Sequence, residues 1–258
     1  MNKIRTLYQY RTMISSLIQR DLRGRYKGSV LGFAWTFLNP LLQLCVYTVV
    51  FSQIMRAGIE DYYLFLFVAL IPWMFFNSSL TGGAGCVLSQ KEMVKKIYFP
   101  REVLPISLVT CQLVNMLLSF IVVFAVLIVS GKGIKVSVLI YLLPVVLVEY
   151  MLALGMAFIT SALTVFFRDL EHILVILSMA WQFLTPVMYS IDMVPEKLQP
   201  LFMLNPMSAI IIAYRDILYY KQAPRMETLL TATVLGVGLL IIGWFLFGKL
   251  EKHFVEEM

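Results

Sequence analysis

Long apolar stretches separated by short charged connections set the pattern of this chain. A helix that crosses the hydrocarbon core of a bilayer needs roughly 20 apolar residues. Six stretches meet or approach that length: 33–54, 62–80, 103–130, 138–167, 173–189 and 228–247. The third and fourth are long enough to tilt or to run past the lipid. The pattern predicts an all-α integral membrane protein with six transmembrane helices and no soluble catalytic domain.

The connections carry structure of their own. In residues 1–27, Ile4, Leu7, Tyr8, Ile14, Ile18 and Leu22 share one face at helical spacing, with Arg5, Arg20, Arg23 and Lys27 opposite. That is an amphipathic helix lying in the membrane interface. It divides the chain into an interface helix at 1–27 and a membrane domain at 28–258. The first apolar run is too long for a signal-peptide core and lacks a small-residue cleavage site. The run KEMVKKIYFPR begins at Lys91 and reads as a short charged helix over 91–99, ended by Pro100, because proline breaks the helical hydrogen-bond ladder. The segment 190–224 is too polar to span and too long for a turn. Pro195 starts one short helix there, Asn205-Pro206 breaks it, and 208–220 forms a second; both are expected at the outer membrane surface.

Composition agrees. Of 258 residues, 60% are hydrophobic and 14% charged, well below the roughly 25% charged typical of soluble domains. The net charge of +6 reads as topology. The connections 1–32, 90–102, 168–172 and 249–258 hold 14 of the 21 Lys and Arg residues, which puts both termini in the cytoplasm. A nucleic-acid partner would need a solvated basic domain, which this pattern does not contain.

Catalytic chemistry is poorly provided for. Cys45, Cys86 and Cys111 are isolated, and the two histidines, His172 and His253, sit near cytoplasmic helix ends. These residues give no metal spacing and no nucleophile–base set. Residues 243–249, GWFLFGK, approximate a phosphate-binding loop, but Leu250 stands where Ser or Thr is required and the run lies in an apolar helix. The chain is expected to bind no cofactor, with neither an ATP site nor a metal site of its own.

Two polar-aromatic stripes carry more. On the first span Thr36, Asn39, Gln43 and Tyr47 fall within an arc of about 80° at 3.6 residues per turn, edged by Phe33, Phe37 and Phe51. On the fifth, Ser178, Trp181, Gln182, Thr185 and Tyr189 share one face. Polar side chains in hydrocarbon turn toward protein or water. The stripes are either helix-packing contacts or the lining of a pathway whose hydroxyls, amides and ring faces suit sugars. Glu149, the one acid deep in a span, is either functional or a hydrogen-bonded structural residue. Ala153, Ala157 and Ser161 form a row of small residues on the fourth span, as do Ala232 and Gly236 on the sixth, and such rows allow close helix contact.

The runs RYKGSVLGFAWTFLNPLLQ (25–43), IPWMFFNSSL (71–80), KKIYFPREVLPIS (95–107), FFRDLEH (166–172), TPVMYSIDMVP (185–195) and LNPM (204–207) resemble type-2 ABC exporter permeases of bacterial polysaccharide export. The likeness is strongest to permeases for lipid-linked O-antigen, and covers nearly the whole chain. It implies a homodimer in the bacterial inner membrane, with two copies of a cytoplasmic ABC ATPase that binds ATP and Mg. It implies that 91–99 is a coupling helix on that ATPase, with Lys91, Glu92, Val94, Lys95, Tyr98, Phe99 and Arg101 in contact, joined by Arg168, Asp169 and His172. It implies that the two short helices within 190–224 are outer-face gate helices, and that the first and fifth spans line the conduit for an undecaprenyl-linked glycan. No catalytic residue is carried over. The alternatives are an exporter of a small drug or lipid and a membrane-embedded polyprenyl-phosphate transferase; the latter would need paired acids or a basic phosphate cluster, neither of which the sequence displays.

Overall fold

A computed structural model describes residues 3–24, 30–54 and 58–258. Among these every regular element is helical. An N-terminal pair, α1 (Lys3–Gln9) and α2 (Arg11–Gly24), precedes a 3-10 turn and α3 (Trp35–Thr48), which continues as a π-helical segment, Val49–Ile54. Then come α4 (Tyr62–Gly85), α5 (Lys91–Lys96), α6 (Val103–Val129), α7 (Val136–Leu139) and α8 (Leu142–Phe166). They are followed by α9 (Leu170–Phe183), α10 (Gln199–Met203), α11 (Pro206–Leu218), α12 (Met226–Leu250) and α13 (Phe254–Glu257).

Five helical stretches among the described residues are long and apolar enough to cross a membrane: Gly32–Ser52, Tyr62–Gly85, Val103–Val129, Val136–Phe166 and Met226–Glu257. The expected fifth span, 173–189, is different. Its helix begins at Leu170 and stops at Phe183, 14 residues in all. Pro186 lacks an amide hydrogen, and a residue before proline is pushed out of helical geometry, so the helix turns away at 184–189.

The axis of the bundle is α4. Its sequence, YYLFLFVALIPWMFF, is apolar all round, and it is buried nearly all round, as such a helix must be. The helices α3, α6, α8, α9 and α11 all pack on it. The tightest crossing joins α8 to α12. A methyl group built on Gly155 would lie 2.6 Å from the backbone of Leu239 and Leu240, and one on Gly243 would lie 2.4 Å from the Gly155 carbonyl oxygen. The two backbones touch, which only glycine permits. The Ala153–Ala157–Ser161 row is used differently: Ala157 lies against Gly83 of α4.

The helix α11 is not a surface helix. Twelve of its 13 residues are buried, and it packs on α4, α8 and α12. It begins beside the end of α9, where Asn205 meets Thr185, and runs toward Glu60, whose carbonyl accepts from Tyr219. The chain therefore re-enters the bundle after α10.

The connections sort to two ends. Lys3 pairs with Glu102 at 2.7 Å and with Glu251 at 2.9 Å, while the Arg101 guanidinium donates to the Glu251 carbonyl. The 168–172 turn joins this end, since Glu171 Oε1 lies 2.7 Å from a methyl built on Gly85. The basic-rich connections thus share one face. At the other end Lys132 bridges Glu60 and Asp61 at 2.9 and 2.8 Å. The N-terminal helices lie against α6 with a face rotated from the predicted one: Leu17 is the buried residue, and Leu7, Tyr10, Met13 and Ile14 support it. Lys27 lies outside the described residues.

Candidate functional site

Two features stand out: the re-entrant unit α9–α11, and the surface around α5. The unit is held by polar side chains that reach backbone across the gap. Arg215, on α11, is buried. Its guanidinium donates to the carbonyls of Pro186 (2.5 Å), Val187 (2.6 Å), Tyr189 (3.1 Å) and Phe65 (3.4 Å), and lies 3.5 Å from the centre of the Phe65 ring. A buried cation is costly without a carboxylate partner; among the described residues Arg215 pairs with none, and the carbonyl dipoles of the loop after α9 solvate it instead. The Tyr62 hydroxyl donates to the Met188 carbonyl at 2.7 Å, closing the same loop from α4. Asn205 caps α11 by accepting from the Met207 amide at 3.0 Å, and it binds Trp181 Nε1 (3.0 Å) and Thr185 Oγ1 (2.8 Å). Further along α11, the Tyr214 hydroxyl donates to Glu149 Oε2 at 2.6 Å, so the deep acid on α8 ties α8 to the re-entrant helix.

The fifth-span stripe is therefore turned inward. Ser178 and Thr185 are buried, and their hydroxyls donate back to the carbonyls of Val175 and Trp181 on α9. The Trp181 ring meets Phe76 of α4 edge-on at 5.2 Å. Gln182 is half-buried, and Tyr189 donates to the Phe183 carbonyl at 2.6 Å. The outward face of α9 is apolar: Val175, Ile176, Met179 and Phe183 are exposed. The first-span stripe is divided. Thr36 is buried against α6, where its carbonyl accepts from Ser119 at 3.5 Å. Asn39 is exposed and accepts from Gln43 at 3.4 Å. Tyr47 and Phe51 are half-buried, with Phe51 stacked near Tyr62 at 6.2 Å, and Phe33 meets Phe37 edge-on at 5.4 Å. Both stripes belong to helices that pack on α4, and Thr36 and Ser178 alike are drawn into the bundle.

The α5 region separates its residues by environment. The helix ends at Lys96 rather than Phe99, because Ile97 is extended; β-branching at Ile97 favours that geometry, and Pro100 restricts Phe99 in turn. Lys91, Glu92 and Lys95 are exposed, and Lys96 pairs with Glu92 at 2.8 Å. Val94 and Phe99 point inward to a cluster with Leu17, Val103, Phe158 and Phe254. Ile97 and Tyr98 point out, Tyr98 at 97% exposure. Arg168, Asp169 and His172 are exposed at the same end. A groove of about 860 Å³ runs between α1, the 94–102 segment and 251–255.

The sequence reading missed Arg215 and Asn205 as anchors. The available signal was a charged pair, Arg215-Asp216, closing an otherwise apolar run.

The ABC-2 type transporter family matches residues 12–219 of the chain. An O-antigen export system permease protein, RfbA, from Myxococcus xanthus is 36% identical over 257 residues, covering 99% of this chain and 98% of that protein. A protein of the same name from Klebsiella pneumoniae is 34% identical over 241 residues, covering 93% and 92%. The polysialic acid transport protein KpsM of Escherichia coli is 22% identical over 209 residues, covering 79% and 80%.

Proposed function

This chain belongs to the ABC-2 type transporter family, and from that premise we propose that it is the membrane permease subunit of an ATP-driven exporter of polysaccharide. The observation that carries the reading is the end-to-end match at 36% identity to an O-antigen export permease; a drug or lipid exporter, or a polyprenyl-phosphate transferase, has no comparable support. ATP and Mg belong to a separate ATPase, and the permease contributes a path and a lever. The protein works as a homodimer in the bacterial inner membrane, with the Lys3–Glu102–Glu251 end in the cytoplasm and a lipid-linked glycan as cargo.

In this reading α9 and the re-entrant α10–α11 unit together make the fifth crossing and its outer gate. The exposed Ile97 and Tyr98 face the ATPase together with Arg168, Asp169 and His172. Thr36, Asn39, Gln43 and Tyr47 line the path, and the α9 stripe stiffens its wall. The apolar face that α9 turns outward, with Phe183, supplies surface for a second copy or for lipid.

The test is reconstitution with the cognate ATPase and a lipid-linked glycan. Glycan transfer should require both subunits and ATP, and the permease alone should hydrolyse no ATP. ATP turnover by the isolated chain, free of contaminating ATPase, or glycan movement without a partner would overturn the reading.

A further inference from the structure

On another flank of α4 lies a polar cleft that the gate and the coupling surface leave unused. Where α3, α4 and α6 meet, about 110 Å³ opens among Thr36, Asn39, Ser78, Gln112, Asn115 and Ser119. That is room for far more than one water, which takes about 10–15 Å³ by this measure. Every polar side chain on the lining is an amide or a hydroxyl, and none is ionisable. Trp35 and Phe75 supply aromatic surface, with Trp35 40% exposed.

The sharpest observation is Asn115. Both its Oδ1 and its Nδ2 are sealed from solvent and meet no partner in the protein. The Ser119 hydroxyl does not serve it, being committed to the Asn115 and Thr36 carbonyls. Leaving a buried amide unbonded is costly, and the groups of Asn115 suit a molecule that both donates and accepts. Position adds to this. At 1.5 Å per residue, Asn115 lies roughly 18 Å along α6 from Val103, near the middle of a hydrocarbon core of about 30 Å.

The lining selects the ligand class. A phosphate or carboxylate would need a cation, and none is present on the walls. An alkyl chain would leave the Asn115 amide unanswered. A neutral ring with hydroxyls on its rim and C–H groups on its face satisfies amides and aromatic surface together. We propose that the α3–α4–α6 cleft holds a sugar ring of the exported glycan, with the Asn115 and Gln112 amides on ring hydroxyls and Trp35 at its apolar face. The inference rests on the polysaccharide reading, and gives Thr36 and Asn39 a partner helix, α6, that the stripe on α3 alone did not reveal.

The experiment uses the whole permease–ATPase complex in membranes that make glycan. With p-benzoylphenylalanine in place of Met74, which lines the cleft, irradiation should give an adduct that stains for carbohydrate. The same probe in place of Leu147, exposed on α8, should give none. Asn115→Leu, close in size, should lower glycan export at least tenfold while membrane level and ATPase binding stay unchanged. Normal export by Asn115→Leu overturns the proposal and leaves the cleft as a water site. Should that variant fail to accumulate, the crosslink decides: absence of carbohydrate on the Met74 probe, while the complex still exports, is equally fatal. If the unaltered complex exports no glycan, the polysaccharide reading falls and takes this one with it.

Discussion

The re-entrant helix α11 and the segment 97–101 meet the demands of a transporter in opposite ways. Along α11 each long polar side chain reaches backbone or another buried group: Arg215 to three carbonyls behind α9, Tyr214 to Glu149. Along 97–101 neighbouring residues diverge, with Phe99 buried and Tyr98 almost wholly exposed. One region spends its chemistry on holding itself in place inside the bundle. The other anchors one ring and offers the next to whatever lies outside. A polar residue buried in lipid must be satisfied internally, whereas an exposed aromatic at a basic surface is available for binding.

The strongest way to break this contrast is Arg215→Met. It would strand the carbonyls of Pro186, Val187 and Tyr189, each losing a charge-assisted bond worth about 1.5–3 kcal/mol. A destabilisation of about 3–5 kcal/mol is expected, seen as a lower unfolding temperature in detergent and new protease cleavage within 184–204. Unchanged stability would show that other contacts hold the re-entrant unit.

Next in size, the adjacent rings should separate. Phe99→Ala should cost about 3 kcal/mol, as emptying a packed aromatic site does. Tyr98→Ala should leave stability within about 0.5 kcal/mol yet weaken ATPase association in a pull-down from membranes. Equal losses of stability in the two variants would erase the distinction between anchor and contact.

The smallest effect concerns the latch below this segment. Burial lowers the Lys3 pKa, but hydrogen bonds to Glu102 and Glu251 outweigh it and hold the group above its ordinary 10.5. A folded-state pKa above the unfolded one means the contribution is complete below about pH 10.5 and is lost as pH rises through the folded value. Alkaline titration should loosen α1 before the bundle opens. Fluorescence of Trp244, whose ring centre lies 5.8 Å from Lys3 Nζ, should report the step, and Lys3→Gln should remove it.

Where helices would lie was largely readable from apolar run length. Tyr62, Val103 and Phe166 bound observed helices at or next to the predicted positions. What periodicity could not convey was partnership across the chain. Arg215 looked like a surface charge because three of its acceptors lie 26 to 29 residues earlier, in the loop at Pro186, and the fourth, Phe65, lies 150 residues earlier. The small residues were visible, but not that Ala157 faces α4 while Gly155, two positions earlier, faces α12. The α9 stripe was legible as one face; that it turns toward Phe76 and Asn205 depended on α11 entering the bundle. Tyr98 and Phe99 were grouped because the helix was expected to continue through them, and its end at Lys96 sends them apart.

The crossing of Gly155 on Gly243 has a mechanical consequence. Backbone against backbone has no rotamers to yield, and dense packing passes displacement on, so α8 and α12 act as a single stiff beam. One end of it is gripped at Glu251 by Arg101 and Lys3. Farther along it, Glu149 holds Tyr214 of the re-entrant helix. A tug on the loop after Tyr98 therefore has a rigid route, by way of Arg101, to the contact between Glu149 and Tyr214.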